Sequence, residues 1–234
     1  MRSSTLIKLN AARREGRVLV RAVDLSSFEE RLIDPHSAGA SPLQVACRMA
    51  ARADASGRVE IEGRPWFLWT VSPPLELVIV GAAHIAQHLA AMAGRADYDV
   101  RIIDPRAAFA TRERFPDTEV YCCWPDEAFE RKPLGARSAL IALSHDPKID
   151  DPALIGALKS KCFYVGALGS ARTHAARKAR LEQLGLGDEE LRRIHAPIGL
   201  KIGAKTTFEI AVAIMAEVTQ TLRLAGADAA LGEA

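Results

Sequence analysis

From residue 75 onward the chain alternates between two hydrophobic rhythms. Residues 77–80, 100–104, 119–124, 139–143 and 162–167 are short apolar runs bounded by Gly, Pro, Ser or Asp, which predicts five strands. Between them the pattern predicts helices that open at 81–86, cover 126–131, run through Lys159 from a cap at Asp150-Asp151-Pro152, and span 172–184. A last helix is announced by the capping box Thr206-Thr207-Phe208-Glu209, with Ile210, Ile214, Val218 and Leu222 repeating at helical spacing. Strands alternating with helices imply an α/β fold, a Rossmann-like parallel sheet with helices on both faces.

The first seventy residues follow a different pattern. Val18, Val20 and Ala22 share one face of a strand over 17–24, and 28–33 reads as a second. Ser41-Pro42-Leu43 starts a helix with serine at the N-cap and proline at N1, and Leu43, Ala46, Cys47 and Ala50 form its apolar stripe. Residues 57–71 read as a hairpin turning at Glu62-Gly63, with Trp66 and Leu68 alternating against Phe67 and Trp69. Ser72-Pro73-Pro74 is a stiff connector. The expected organisation is a small α+β N-terminal domain over 1–72, a Rossmann-like cofactor-binding domain over 73–223, and a flexible tail over 224–234.

Composition acts mainly by exclusion. With 234 residues, 49% hydrophobic and 26% charged, the chain suits one or two ordinary domains, and its formal net charge of +2 gives no electrostatic case for nucleic acid. No apolar run approaches the ~18 residues of a membrane span, and the N-terminus lacks the apolar stretch of a secretory signal. No membrane association and a cytoplasmic setting are therefore expected. Cys47, Cys122, Cys123 and Cys162 form no C-x-x-C pair, which argues against structural zinc. Cys122 and Cys123, placed on a predicted strand, should point to opposite faces, either as small buried thiols or as reactive sulfurs.

In open α/β sheets ligands bind beyond the carboxyl ends of the strands, and those ends concentrate the unusual residues of this chain. Gly81, Ala82, Ala83 and His84 form a turn that can bring backbone N–H groups and a helix N-terminus to a phosphate. Ala83 and Ala86 occupy the second and third glycine positions of the dinucleotide fingerprint, and the Ala83 methyl intrudes where a pyrophosphate approaches. Asp104, about twenty positions further on, stands where a ribose hydroxyl is held. Arg106, Arg112 and Arg114 follow it and suit either a phosphate on the ribose or solvent. His145, Asp146 and Lys148 offer an imidazole for proton exchange or metal ligation, a carboxylate to set its tautomer and an ammonium for an anion; the alternative is an Asp-Pro turn with solvated charges. Gly166, Gly169 and Ser170, followed by Arg172, can grip a phosphate or cap a helix.

Weaker signals complete the set. His84 and His88 have metal-binding spacing, but Ile85 stands where a metalloprotease carries glutamate, so no metal centre is expected. Arg172, Arg177, Lys178 and Arg180 read as the wet outer face of their helix, and Lys201 and Lys205 are placed to close over an anionic ligand. No catalytic residue is assigned.

Five segments in order carry a family resemblance: Val80-Gly81-Ala82-Ala83-His84-Ile85-Ala86, Ile103-Asp104-Pro105-Arg106, Ser144-His145-Asp146-Pro147-Lys148, Tyr164-Val165-Gly166-Ala167-Leu168-Gly169-Ser170 and Pro197-Ile198-Gly199-Leu200-Lys201-Ile202-Gly203. Together they resemble the xanthine dehydrogenase accessory (XdhC/CoxI) family over residues 73–221. The resemblance implies a maturation factor that binds molybdenum cofactor, a molybdopterin with a phosphate or nucleotide tail. Such a factor assists cofactor sulfuration or insertion into a molybdenum hydroxylase apoenzyme. It further implies a cofactor lying over Gly81–His84, Asp104, 145–148 and 166–170, a cysteine desulfurase as a possible partner, and an accessory role rather than conventional turnover. Larger members carry a Gly-Ser-x-Pro-Arg stretch and a glycine-rich cysteine motif that residues 1–72 lack, so the chain reads as a short or divergent variant. A homodimer is expected because the small N-terminal unit needs a surface to pack on. The competing expectation is an NAD(P)-dependent oxidoreductase or a nucleotide-sensing protein.

Overall fold

The structure is a computed structural model that describes residues 3–231, with side chains through Leu224. It divides into two compact units, Met1–Pro74 with Leu222–Ala234, and Leu75–Thr221.

The first unit contains α1 (Ser3–Arg14), β1 (Leu19–Asp24), β2 (Glu30–Ile33), α2 (Pro42–Arg52), β3 (Gly57–Ile61) and β4 (Arg64–Val71). Its strands form an antiparallel sheet ordered β2-β1-β4-β3. Alternation decides the inner face: Val20, Ala22, Trp66 and Leu68 pack on Cys47 of α2, while Phe67 is exposed. The Ser41 hydroxyl accepts the Gln44 N–H, and Glu62 and Gly63 both take the positive φ that a tight hairpin turn requires. The sequence reading misses α1. Its buried positions Thr5, Leu9 and Ala12 keep helical spacing but supply only one large apolar side chain.

The second unit runs β5 (Leu75–Val80), α3 (His84–Arg95), β6 (Tyr98–Ile103), β7 (Glu119–Tyr121), α4 (Pro125–Arg131), β8 (Ser138–Ala142), α5 (Pro147–Lys159), β9 (Tyr164–Ala167), α6 (Ala171–Gln183), α7 (Asp188–Arg192) and β10 (Ile194–His195). It closes with the first part of α8 (Thr207–Leu231). All six strands pair in parallel, in the order β7-β6-β5-β8-β9-β10. Numbered within this sheet, that is 3-2-1-4-5-6, the Rossmann order.

Burial on both faces follows from the strand sequences. Leu77 and Ile79 face one core with Ala86, Leu89 and Ala93 of α3 and Ala211, Ile214 and Val218 of α8. Val78 and Val80, one residue out of phase, face the other with Ile149, Leu154 and Leu158 of α5, Leu181 of α6 and Leu191 of α7. At the amino end of the sheet, fully buried Arg101 donates to Glu76 and to the Lys132 carbonyl, and Ser138 donates to the same Glu76 carboxylate.

Several expectations need correction. The sheet has a sixth strand, β10, whose two residues are too short to leave a periodic signal. The strand over 119–124 ends at Tyr121: Trp124 is extended before Pro125 and becomes the N-cap of α4. Cys122 and Cys123 therefore lie outside the strand, the first exposed and the second buried. Helix α5 starts at Pro147, not after Asp151. Both Asp146-Pro147 and Asp151-Pro152 carry an acid followed by proline, and the first prevails because the Asp146 carboxylate accepts the Lys148 N–H at 2.9 Å. A tail from residue 224 is expected, yet the α8 backbone is helical to Leu231; the remainder of that tail lies outside the described residues. No helix among the described residues is long and apolar enough to cross a membrane.

Candidate functional site

The sheet order reverses between β5 and β8, and the crevice at such a switch point is where open α/β sheets bind ligands. Gly81, just beyond β5, and Ser144, two residues beyond β8, abut. A Cβ built on Gly81 would lie 2.5 Å from the Ser144 nitrogen, and Gly81 has φ +102°. The glycine is thus required by the strand ends themselves, before any phosphate is considered. Ala82 is buried, and Ala83 is the N-cap of α3 with no side-chain bond to the helix amides, so the N-terminus of α3 is left uncapped. His84, the first helical residue, is exposed.

Asp104 follows β6 and is fully buried. One carboxylate oxygen accepts the Arg106 N–H and Nε, each at 2.9 Å, and the other accepts the Ala82 N–H at 2.8 Å and Arg106 Nη2 at 2.7 Å. Burial alone would raise its pKa. The Arg106 side chain, then the Ala82 and Arg106 N–H groups, outweigh it and hold the carboxyl below its ordinary value. All four acceptor directions are taken, so Asp104 is a brace for the β5–α3 turn rather than an open ribose acceptor. Arg106 also lies over the Phe109 ring at 4.5 Å, and Arg114 reaches Gln87 and the Phe109 carbonyl.

Beyond β8, His145 is exposed and adopts φ +64°, in the left-handed region that few non-glycine residues enter. Asp146 is committed to capping α5, while Lys148 is exposed. Ser144 directs its hydroxyl (2.6 Å) and N–H (3.2 Å) to Asp150, which is buried in the first turn of α5. Asp150 in turn faces Arg177 at 3.8 Å, and Arg177 donates to the Leu168 carbonyl. Burial pushes the Asp150 carboxyl up against the opposing pull of Ser144 and Arg177, and burial pulls the Arg177 guanidinium down. Next to it, Asp151 receives a bidentate pair from Arg180 at 2.7 and 3.1 Å.

The basic helix is therefore not a wet face throughout. Arg177 is 2% exposed, and Arg177 and Arg180 clamp α6 to the two acids of α5. The pairing follows from the burial of Asp150 and Asp151, which demands cationic partners and which only the tertiary structure shows.

Beyond β9, Gly166 is enforced by packing: a Cβ there would meet Ile198 at 2.5 Å and Tyr164 at 2.7 Å. Gly169 has φ +138°, and Ser170 caps α6 by accepting the Thr173 N–H. Arg172 is exposed in the first turn. Lys201 and Lys205 are exposed in the loop that leads to α8. His84 and His88 gather no further ligand; His88 meets Phe208 edge-on at 5.4 Å, and no group of three potential ligands occurs among the described residues. A cavity of about 580 Å³ lies at the opposite, amino end of β6 and β7, lined by Gln87, Tyr98, Asp99, Phe115, Glu119 and Lys132 among others. Of the candidate ligand-binding residues, Arg114 alone borders it.

Residues 77–218 match the family model described as the XdhC Rossmann domain. The chain belongs to the XdhC family. It is 34% identical over 146 residues to the molybdenum cofactor insertion chaperone PaoD of Escherichia coli, covering 62% of this chain and 40% of that protein. It is 28% identical over 156 residues to a probable xanthine dehydrogenase subunit of Bacillus subtilis, covering 66% and 45%. The chain thus spans under half the length of these curated relatives. A crystal structure of a xanthine dehydrogenase from Bacillus halodurans shares the fold, with a TM-score of 0.73 at 24% identity over 94% of this chain and 67% of that one. This XdhC-family chain has the Rossmann sheet that the alternation of its strands and helices predicts.

Proposed function

We propose that this chain is a cytoplasmic maturation factor that takes molybdenum cofactor as cargo in the β5/β8 crevice and hands it to a molybdenum hydroxylase of the xanthine or carbon monoxide dehydrogenase type. The observation that carries this is the combination at the switch point. The uncapped N-terminus of α3 offers amides to a phosphate, whereas Asp104, the acid that would read an adenosine ribose, is fully occupied by Arg106 and Ala82. A phosphorylated pterin fits such a crevice better than NAD(P) does. Gly81, Ala82 and Ala83 with His84 would face the phosphate, with Gly166, Gly169, Ser170 and Arg172 as a second anion-binding end. Exposed His145 and Lys148 would meet the pterin or the metal-bearing end. Arg106, Asp104 and Asp146 position these elements rather than bind.

The names of the relatives support a molybdenum enzyme as recipient. A cysteine desulfurase is the partner we expect to supply sulfur, because three of the four thiols are buried. The exposed Ile7 and Phe28 of the first unit support a homodimer.

The test is retention of molybdenum and pterin after incubation with molybdenum cofactor and desalting. His145→Asn, which keeps a residue tolerant of positive φ, and Lys148→Ala are run alongside. Asp146 is left in place because it caps α5. Near-stoichiometric retention that the variants weaken supports the proposal. No retention, under conditions that load a known carrier, refutes it, and consumption of NAD(P)H with a substrate would establish an oxidoreductase instead.

A further inference from the structure

At the far edge of the sheet, four residues, two of them in the motif segments, form a cluster to which the sequence reading assigns no role. His195 ends β10, paired in register with Gly166 of β9, and so stands on the same carboxyl edge as the crevice. Its ring stacks on Tyr164 with centroids 4.5 Å apart, and its Nδ1 lies 3.4 Å from one Glu217 oxygen. The other Glu217 oxygen accepts the Tyr164 hydroxyl at 2.6 Å and the Gly199 N–H at 2.7 Å. Tyr164 is buried, Glu217 nearly so, and the His195 side chain is 35% exposed.

A carboxylate only accepts, so the His195–Glu217 contact requires the proton on Nδ1. A neutral ring with that tautomer presents Nε2 as a bare acceptor. The two donors on the other oxygen fix the carboxylate, and the Tyr164 stack fixes the plane of the ring. From β5 to β10 the sheet crosses three strand spacings, roughly 14 Å, the scale of an extended cofactor lying along the strand ends. In the Rossmann order, the half of the ligand beyond the switch point from β6 lies over β8, β9 and β10.

We propose that His195 is a ligand-contacting residue whose Nε2 accepts a hydrogen bond from the N–H or amino edge of a bound heterocycle such as a pterin, and that Glu217 is its positioning residue. The inference rests on the cofactor-cargo function proposed above and names a recognition contact for it.

Glu217→Gln is the informative variant because it is isosteric. The Tyr164 hydroxyl and the Gly199 N–H require an acceptor, so the amide oxygen takes their position and the amide NH2 faces His195. Nδ1 must then accept, the ring proton moves to Nε2, and the acceptor is lost. Nitrogen-15 NMR of the full chain, at a pH where the ring is neutral, should place the proton on Nδ1 in the wild type and on Nε2 in Glu217→Gln. Tyr164→Phe removes one donor but leaves the carboxylate, so its proton should stay on Nδ1.

Retention of molybdenum cofactor should fall at least tenfold in Glu217→Gln and His195→Ala, and by much less in Tyr164→Phe. A wild-type proton on Nε2 would overturn the assignment. So would a Glu217→Gln chain that has the flipped tautomer yet binds as the wild type does. Wild-type retention matched by both variants sinks the His195 role alone, whereas no wild-type retention sinks the cargo proposal and this one with it.

Discussion

Gly81→Ala should be far more costly than a single methyl group suggests. The residue sits at φ +102°, where alanine bears a strain of about 1–2 kcal/mol. Its new Cβ would lie 2.5 Å from the Ser144 nitrogen, 2.8 Å from the Ser144 Cα and 2.9 Å from the Leu143 carbonyl carbon. All three are backbone atoms, so no side chain can swing aside, and the ends of β5 and β8 must part. Overpacking of this kind costs roughly 1–3 kcal/mol, and the 2.7 Å bond from the Leu143 N–H to the Val80 carbonyl stands beside the point of separation. The expected loss is about 2–5 kcal/mol, a large share of a typical domain stability of roughly 5–15 kcal/mol.

Gly94→Ala is the matched control. That glycine lies in α3 with nothing within 4 Å of a Cβ, so alanine should gain about 0.5–1 kcal/mol. Because the strain is confined to the ends of β5 and β8, local opening is best read by hydrogen exchange in peptides covering those strands. Exchange there should accelerate in Gly81→Ala and slow slightly, or stay unchanged, in Gly94→Ala. A Gly81→Ala protein within about 0.5 kcal/mol of wild type, below the ordinary range for a damaging substitution, would refute the claim that the switch point is closed backbone against backbone.

Two further outcomes follow from the same geometry. Asp104 has a folded pKa below its ordinary value of 3.8, so its stabilisation is present above that pH and disappears as the pH falls through the lower folded value. Asp104→Asn should therefore be less stable than wild type at pH 7, by on the order of 2–3 kcal/mol given the partial exposure of Arg106, and the gap should close under acid; urea titrations at both pH values check this, and a constant gap would contradict it. Native alkylation should modify Cys122 first, because Cys47, Cys123 and Cys162 are buried and burial pushes the Cys47 thiol up to about 11. Peptide mass spectrometry reads the order, and early labelling of Cys47 would contradict the packing of the first unit.

Much of the fold is legible in the sequence because each signal is local. The strands of the parallel sheet are short apolar runs, and Ser41-Pro42, Ser170 and the box at Thr206 mark helix starts that need no tertiary information. The start of α5 is ambiguous for the opposite reason: two Asp-Pro pairs compete, and the tertiary partners Ser144, Arg177 and Arg180 absorb the acids of the second. The strand-end residues were locatable, but their roles depended on neighbours. Asp104 is saturated by a residue two positions away and by an amide from the preceding strand end. The pairing of His195 with Glu217 joins a two-residue strand to a helix over a 22-residue separation, and no periodicity or spacing announces it.

The most direct test of the cargo account is transfer. The chain, loaded with molybdenum cofactor and desalted, is mixed with a cofactor-free molybdenum hydroxylase of the xanthine dehydrogenase type, and molybdenum is then measured on the separated hydroxylase. The account expects molybdenum to move from the chain to the hydroxylase, and to do so far less when the chain carries Gly81→Ala. Cofactor that never loads onto the chain, or that remains on it in the presence of the apoenzyme, would contradict it.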